Sequence, residues 1–490
     1  MTFPQRPGGR EAQGQVKASS LKNIREKGGR PRKALPRKKS KDWRYIIKSF
    51  VDKIPIGGTA PIGPRSTKWQ SIGTNYITGL LLPGRRKSME SITKRLSDED
   101  YQRMQQFITD SPWDSKATMD GVITFLRRKI ASPEGVIILD DTGSKKKGEM
   151  SPGVAVQYFS ETRKTGSCQR IVTCVYSEQI GPVNADMITW PLGMQLMLPK
   201  KWNKDKYRRE KAGIPHDLKY RKNWMIALDL MENVKRLKVP LKCIIADTDY
   251  GRVRKFREQL QKWEMPYIMS VRLDKLNVIS EDTPIIRPED VVNKRGRKRK
   301  RNYLPKGVKW ENPGKVAERT KDWTLIRWGE GTKGPLEAYF SRTRVRTVQW
   351  KYPSDEVGWL LLENGSEGVK AYMCWGLDDL TLKELVKLAH SRWAIEEYHK
   401  HIKNELGFDS FEGRKYRGWL HHSVLTQMAY AILQWMRWKH RNLNKDVSLP
   451  TLPEIRKILV SILVEKLQPD GGPNGLCRTC PIVTIIREAG

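Results

Sequence analysis

Apolar positions along this chain change their period more than once, and each change predicts a different kind of structure. From Trp43 to Ile130 the spacing is helical: Tyr45, Ile46, Phe50 and Val51, then Tyr76, Leu80 and Leu81, then Met104, Phe107 and Ile108 recur on single helix faces. Ser97 with Asp100 three residues on reads as a helix start, and Pro112 and Pro133 read as breaks. Between 135 and 275 strands and helices alternate. Strands are predicted at Val136 to Leu139, Val154 to Phe159, Ile171 to Tyr176, Leu241 to Ala246 and Tyr267 to Val271, with helices at Trp224 to Val234 and Arg252 to Trp263. From Val271 to Leu377 the helical period disappears. Short β-like pieces at Trp323 to Trp328, Leu336 to Phe340, Val345 to Tyr352 and Trp359 to Leu362 alternate there with Gly and Pro turns. Helical spacing returns in the run Leu382 to Leu406 and again from Arg417 to Trp438.

Chemistry concentrates where these elements end. The segments GVIILDDTG (135 to 143) and LKCIIADTDYG (241 to 251) each run an apolar strand into aspartate. In the run Leu382 to Leu406, Arg392, Glu396, His399 and Lys403 fall within about 60° of one another on a helical wheel, a carboxylate set in a row of cations. Taken alone, such a stripe also suits a solvated charged face. Combined with Asp140 or Asp141 and with Asp247, Glu396 completes a set of three carboxylates from two strand ends and a helix. Hard divalent cations need oxygen ligands of this kind, and phosphodiester cleavage by a pair of such ions needs a rigid cluster of them. Arg392 and Lys403 would then hold phosphates beside the scissile bond. His421 and His422 are adjacent and point to different sides, which argues against a shared metal, and the single Cys477/Cys480 pair is a weak zinc signal.

Charge narrows the partners. Lys and Arg number 92 against 54 Asp and Glu, a formal net charge of +38, and a surface this basic draws polyanions by releasing their counterions. Nucleic acid is the first expectation. No run approaches 18 apolar residues and the N-terminus shows no signal-peptide core, so the expectation is a soluble cytoplasmic protein with no membrane partner. Six scattered cysteines form no disulfide framework. Residues 1–42 have the composition of a disordered basic arm, and Arg30 and Arg32 flank Pro31 in a Gly-Arg-Pro element like those that lie in the minor groove. A second basic run, Lys294 to Arg301, contains Arg297 and Arg299. With Arg392, His399, Lys403, Lys146 and Lys147 these four arginines are the expected DNA contacts, and Arg85, Arg86 and Lys87 after the Pro83-Gly84 turn are further phosphate contacts if the first domain meets DNA. The tryptophans between 310 and 375 suit either stacking on unpaired bases or the core.

Four blocks carry a resemblance. DDTGSKKKGEMSPGVAVQY (140 to 158), LPKKWNKDKYRREKAGIPHDLKYRKNW (198 to 224), ADTDYG (246 to 251) and RWAIEEYHKHIKNELGFDSFEGRKYRGW (392 to 419) resemble the successive blocks of DDE-type bacterial insertion-sequence transposases. YITGLLLPGRRKSMESI (76 to 92) is similar to their helical N-terminal block. The group is insertion-sequence family seven-oh-one, related to family four, and Ala389 stands where the family-four signature has tyrosine. The resemblance implies an α/β fold: a ribonuclease H-like catalytic core over 133–275 and 376–440, interrupted by a β-rich insertion over 276–375. A helical DNA-binding domain over 43–132 precedes it and a C-terminal tail over 441–490 follows. It further implies a nucleoid-associated transposase that acts on double-stranded DNA, at transposon ends and target, as a homodimer in the DNA complex. Two Mg²⁺ or Mn²⁺ ions per site would be held by Asp140, Asp247 and Glu396, with Asp141 the alternative first aspartate. A relative that binds DNA without cutting it, and a ribonuclease H-type nuclease, are the competing readings.

If the basic arm and the Lys294 to Arg301 run bind phosphates, deleting either should weaken binding to specific and unrelated DNA alike. The slope of log affinity against log salt should flatten by about 0.9 for each phosphate that is no longer neutralised. Titrations of A·T-rich and G·C-rich duplexes of equal length check this, and a weakening confined to A·T-rich DNA would transfer the arm to minor-groove binding.

Overall fold

A computed structural model describes residues 50–467, except 55, 58–63, 97–99, 160–163, 182–185, 291–299, 332–333 and 444–448. Arg30, Arg32, Ser97, Arg297, Arg299, Cys477 and Cys480 therefore lie outside the described residues, which all belong to the unit Asp42–Gly490.

The first part is helical: α1 (Pro64–Leu81), α2 (Met89–Thr93), α3 (Tyr101–Thr109) and α4 (Ser115–Lys129). Its starts are fixed by side chains that accept orphan backbone N–H groups: Ser88 caps α2, Asp100 caps α3 through Gln102, and Asp114 caps α4 through Lys116 and Ala117. Tyr76, Leu80, Leu81, Met104, Phe107 and Ile108 are all buried, as the helical spacing required.

The rest is built on one mixed sheet. Its strands are β1 (Val136–Lys145), β2 (Ala155–Phe159), β3 (Lys164–Gln179), β4 (Met187–Met197), β5 (Cys243–Ala246), β6 (Tyr267–Val271), β7 (Asn277–Ser280), β8 (Thr324–Gly331), β9 (Gly334–Gln349), β10 (Tyr352–Gly365) and β11 (Gly368–Trp375). The order is β2-β3-β1-β5-β6-β11-β10-β9-β7, with β4 also paired to β3 and β8 to β9. β1, β5 and β6 are parallel, whereas β3 and β11 flank them antiparallel. Val136, Ile137, Ile138 and Leu139 are buried without alternation, as are Cys243 to Ala246, the pattern of strands covered on both faces. The covering helices are α5 (Lys200–Lys204), α6 (Lys206–Ala212), α7 (Asn223–Arg236), α8 (Thr248–Gly251), α9 (Arg254–Lys262), α10 (Pro313–Arg319), α11 (Leu382–His390), α12 (Trp393–Asn404), α13 (Tyr416–Leu443) and α14 (Leu452–Leu467). α13 packs against β4 and against α1, α3 and α4, so the first helices and the sheet share one core.

Five expectations need correction. β1 does not stop at Leu139: it runs on to Lys145 along β3, because Asp140 to Lys145 keep antiparallel partners after the parallel pairing with β5 has ended. β4 carried no strand signal, since Pro191 and Gly193 interrupt it. It is an edge strand that pairs only with β3 among the described residues, and its register shifts opposite Cys174/Val175, where a missing N–H is tolerated. A short helix, α10, interrupts the β-like stretch: Pro313 sits in its first turn and Asn312 caps it through Lys315. The strands of 277–375 also continue the main sheet through β11 on β6. Finally, the run Leu382 to Leu406 is two helices and not one. Ser391 Oγ donates to the Lys387 carbonyl 2.9 Å away, a back-bond that bends a helix, and α12 restarts after Arg392.

His422, on α13, locks the first helices to the loop after α12. Its Nδ1 lies 2.8 Å from the Tyr76 hydroxyl and its Nε2 3.1 Å from the Phe408 carbonyl, and the ring stacks on Phe408 and Phe411. Burial pushes this imidazole down to about 3, although the Phe408 carbonyl raises it. The unfolded chain takes up a proton near pH 6.5 and the folded chain does not, so this contribution is complete above pH 6.5 and is lost as pH falls toward 3. His422→Gln, which can keep both hydrogen bonds, should lose about 1.4 kcal/mol less stability than the wild type between pH 7.5 and pH 5.5 in urea melts. Comparing the two proteins isolates the imidazole from other groups that titrate over that range, and equal losses would show that His422 is not held neutral.

Candidate active site

Asp140 and Asp247 are neighbours because of register. The last parallel pair between β1 and β5 is Leu139 with Ala246, so both aspartates are the first residues beyond it, Asp247 at the carboxyl end of β5 and Asp140 where β1 leaves β5 and continues along β3. Asp247 also caps α8, its Oδ1 accepting from the Asp249 N–H at 2.9 Å. Both carboxyls are recessed and feel one another's charge. Burial first, and then Asp247, push Asp140 up to about 7 in spite of Arg392. Asp247 is pushed up to about 6 by burial and by Asp249 and Asp141.

Arg392 joins the third carboxylate to this pair. From the bend between α11 and α12 its Nη1 donates to Asp140 Oδ2 at 3.0 Å, and its Nη2 donates to Glu396 Oε1 one turn along α12. Burial lowers the guanidinium's pKa, but Asp140, Glu396 and Asp247 outweigh it and raise it above the usual range. The guanidinium thus neutralises the cluster in the place where cations are called for. Among the described residues no three ligating side chains yet converge on one point, since Glu396 is drawn to Arg392. The donor chemistry nevertheless fits hard divalent cations: carboxylate oxygens only, two of them crowded enough to resist ionisation unless a cation compensates.

Asp141 borders the same cleft, but its carboxylate is taken up by side-chain donors. Its Oδ2 accepts from Arg170 Nε at 2.9 Å and from Asn223, and its Oδ1 accepts from the Tyr250 hydroxyl. Arg170 also reaches Asp249, which pairs with Arg252. Asp141 therefore ties β1 to β3, α7 and the α8 turn. A cleft of about 180 Å³ opens over these residues, lined by Asp140, Asp141, Arg170, Asp247, Asp249 and the exposed Tyr158. Arg170, Asn223, Tyr250 and Tyr158 are not singled out from sequence, although the last three stand inside the blocks that carry the resemblance.

Several expected phosphate contacts have other work. His399 is only 9% exposed, its Nε2 sits 2.7 Å from Thr173 Oγ1, and Thr173 in turn donates to the Asp140 carbonyl at 2.9 Å. Burial, then Arg392, push His399 down to about 3, so a buried neutral imidazole braces the Asp140 backbone and does not meet a phosphate. Lys146 is a second correction: its Nζ donates to the carbonyls of Phe411 at 2.8 Å and Asp409 at 3.3 Å. Lys87 is buried and donates to the carbonyls of Leu80 and Glu405, which ties the first helices to the end of α12. Lys147 is exposed and Lys403 half-buried. Of the tryptophans, Trp359 lies under Arg342 and Arg344, Trp328 stacks on His390 and Trp375 on Tyr267, all structural contacts. Trp310 is exposed, and Trp350, at the turn between β9 and β10, is 77% exposed.

Comparison with known proteins now adds the family. A model of the DDE superfamily endonucleases matches residues 64–335, more than half of the chain and both strand-end aspartates. The chain belongs to the DDE superfamily of endonucleases. It is also similar to a "Probable transposase for insertion sequence element IS701" from Microchaete diplosiphon, 25% identical over 330 residues that cover 67% of this chain and 72% of that protein. Glu396 lies beyond the DDE match, and its carboxylate pairs with Arg392 at the start of α12. No helix among the described residues is long and apolar enough to cross a membrane.

Asp140→Asn should leave the DDE site inactive, because Asp140 faces Asp247 and Arg392. Asp141→Asn should keep measurable activity, reduced about tenfold, as expected when a supporting partner is weakened. Nicking of supercoiled DNA by the two variants is the measurement, and the reverse result would move the assignment by one residue.

Proposed function

We propose that this DDE endonuclease is an insertion-sequence transposase that binds terminal inverted repeats, hydrolyses the strand at each end and joins the freed 3′-hydroxyl to target DNA. The observation that carries the reading is the register that sets Asp140 and Asp247 side by side, with Arg392 linking them to Glu396. A ribonuclease H-like core is supported by the strand order: three antiparallel strands, β4, β3 and β1, followed by β5 and β6 parallel to β1.

Asp140, Asp247 and Glu396 would hold Mg²⁺ or Mn²⁺, and a pair of such ions would supply a deprotonated water and a neutralised leaving oxygen. The chain's own residues set the geometry. Asp140 is braced from behind by Thr173 and His399, and Asp247 by its cap on α8. For Glu396 to face the aspartates, Arg392 must release it, and the freed Nη2 would then donate to a phosphate oxygen. The guanidinium would serve both as counter-ion of the carboxylates and as phosphate clamp. Lys403 and Lys147 would contact flanking phosphates, and the arm and the Lys294 to Arg301 run would hold DNA without reading it. Two copies, one for each end, would act together in the DNA complex, in the cytoplasm and on the nucleoid.

The test is end cleavage against end binding. Asp247→Ala and Glu396→Ala should abolish Mg²⁺-dependent nicking of DNA carrying the element's ends, while gel-shift affinity for those ends changes little, since the carboxylates act on the transition state and not on groove contacts. Substantial nicking by Glu396→Ala would remove that residue from the site.

A further inference from the structure

Behind the Asp247 turn lies a buried arginine that touches neither aspartate. Arg257 on α9 and Glu356 on β10 form an ion pair in which each side chain is only 3% exposed. Nε meets Oε1 at 2.6 Å and Nη2 meets Oε2 at 3.0 Å, a two-pronged pairing. Glu356 is otherwise filled by the hydroxyls of Tyr267 and Thr347, the latter at 2.7 Å. The remaining nitrogen of Arg257, Nη1, donates to the carbonyl of Gly251. Gly251 ends the four-residue helix that Asp247 begins, and its own N–H donates to the Asp247 carbonyl at 2.9 Å. A Cβ at Gly251 would stand 1.9 Å from the Ser270 carbonyl of β6, so the turn is pressed directly on the sheet and leaves no room for a different path.

We propose that Arg257 is a positioning residue: clamped by Glu356, it holds the Gly251 carbonyl and so fixes the turn that aims Asp247 at Asp140. Charge points the same way as geometry. Two recessed carboxylates side by side repel, and Asp247 is the one carried on a short turn, whereas Asp140 stands inside a paired strand. Something must hold the turn against that repulsion until a cation arrives. A bidentate arginine whose carboxylate is itself saturated does so without a flexible partner. Glu356 sits where β10 shifts register against β9, between Pro353 and Val357, so the β-rich region reaches the Asp247 turn through this pair.

This role rests on the proposed reading of Asp247 as a ligand, and the experiment separates the two. Two variants are made in the full chain: Arg257→Lys, which keeps the charge but cannot serve both partners with a planar fork, and the double variant Arg257→Met with Glu356→Leu, which removes both charges and fills the space, a replacement buried pairs often tolerate. Asp247→Ala is the control. Three quantities are read: thermal midpoint, gel-shift affinity for the ends, and Mn²⁺ affinity in the absence of DNA, from the electron paramagnetic resonance signal of free Mn²⁺. Nicking is measured beside them. Expected for at least one variant is a cooperative melt, end affinity within about twofold of wild type, and about ten- to hundredfold loss in Mn²⁺ affinity and in nicking, the range for groups that orient metal ligands. Wild-type Mn²⁺ affinity and nicking in a folded variant would overturn the proposal, as would loss of the fold by both variants, which would make the pair structural only. Wild-type nicking by Asp247→Ala would instead overturn the reading of the site on which it rests.

Discussion

The interaction on which the rest depends is repulsion between two carboxylates in a place that water reaches poorly. Asp140 and Asp247 are adjacent because the parallel pairing of β1 with β5 ends just before both, and the charge of Asp247 raises the cost of ionising Asp140. A protein bears such a cost only where something compensates it, since a buried uncompensated charge destabilises by several kcal/mol, on the order of 3 to 5. Arg392 provides the compensation in this structure, from the break between α11 and α12. What surrounds the pair then falls into place: Thr173 and His399 behind Asp140, the saturated Asp141 beside it, and Arg257 behind the Asp247 turn.

How much of this could be read from the sequence follows from the range of each interaction. Helices with a buried face and strands covered on both sides write themselves into apolar spacing, so the first helices, the start of β1, and β5, β6, α7 and α13 are legible within a few residues. β4 was not, because Pro191 and Gly193 carry the signs of a break, and only tertiary pairing with β3 makes an edge strand of them. The joining of the β-rich stretch to the main sheet was equally hidden, since β11 on β6 is a pairing between segments about a hundred residues apart, with nothing local to announce it.

In the site, residue type foretold the carboxylates and not their supports. Strand-end aspartates and a helical glutamate among cations are a chemical pattern, visible in one dimension. That Asp141 is saturated while Asp140 faces its neighbour depends on Arg170, Asn223 and Tyr250, which come from three other elements. The helical-wheel stripe placed His399 among the phosphate contacts because a wheel shows which residues share a face and not what that face meets. Arg392, at the start of α12, reaches Asp140, while His399, two turns on along the same helix, lies against Thr173 of β3.

The same distinction limits what the net charge of +38 says about DNA. Lys87, Lys146, Arg209, Arg257 and Arg437 all donate to backbone carbonyls inside the fold, at helix ends and loops that would otherwise leave acceptors unpaired. Burial lowers the pKa of Lys87 and Lys146, which is the sign of cations recruited for their hydrogen bonds in spite of their charge. Counting them as phosphate contacts overstates the attraction. The part of the charge that can release counterions is the exposed part, and so the salt dependence of DNA binding measures a smaller number than the composition suggests. A basic sequence is thus two populations of cations, one holding the chain together and one left for the polyanion, and only burial tells them apart.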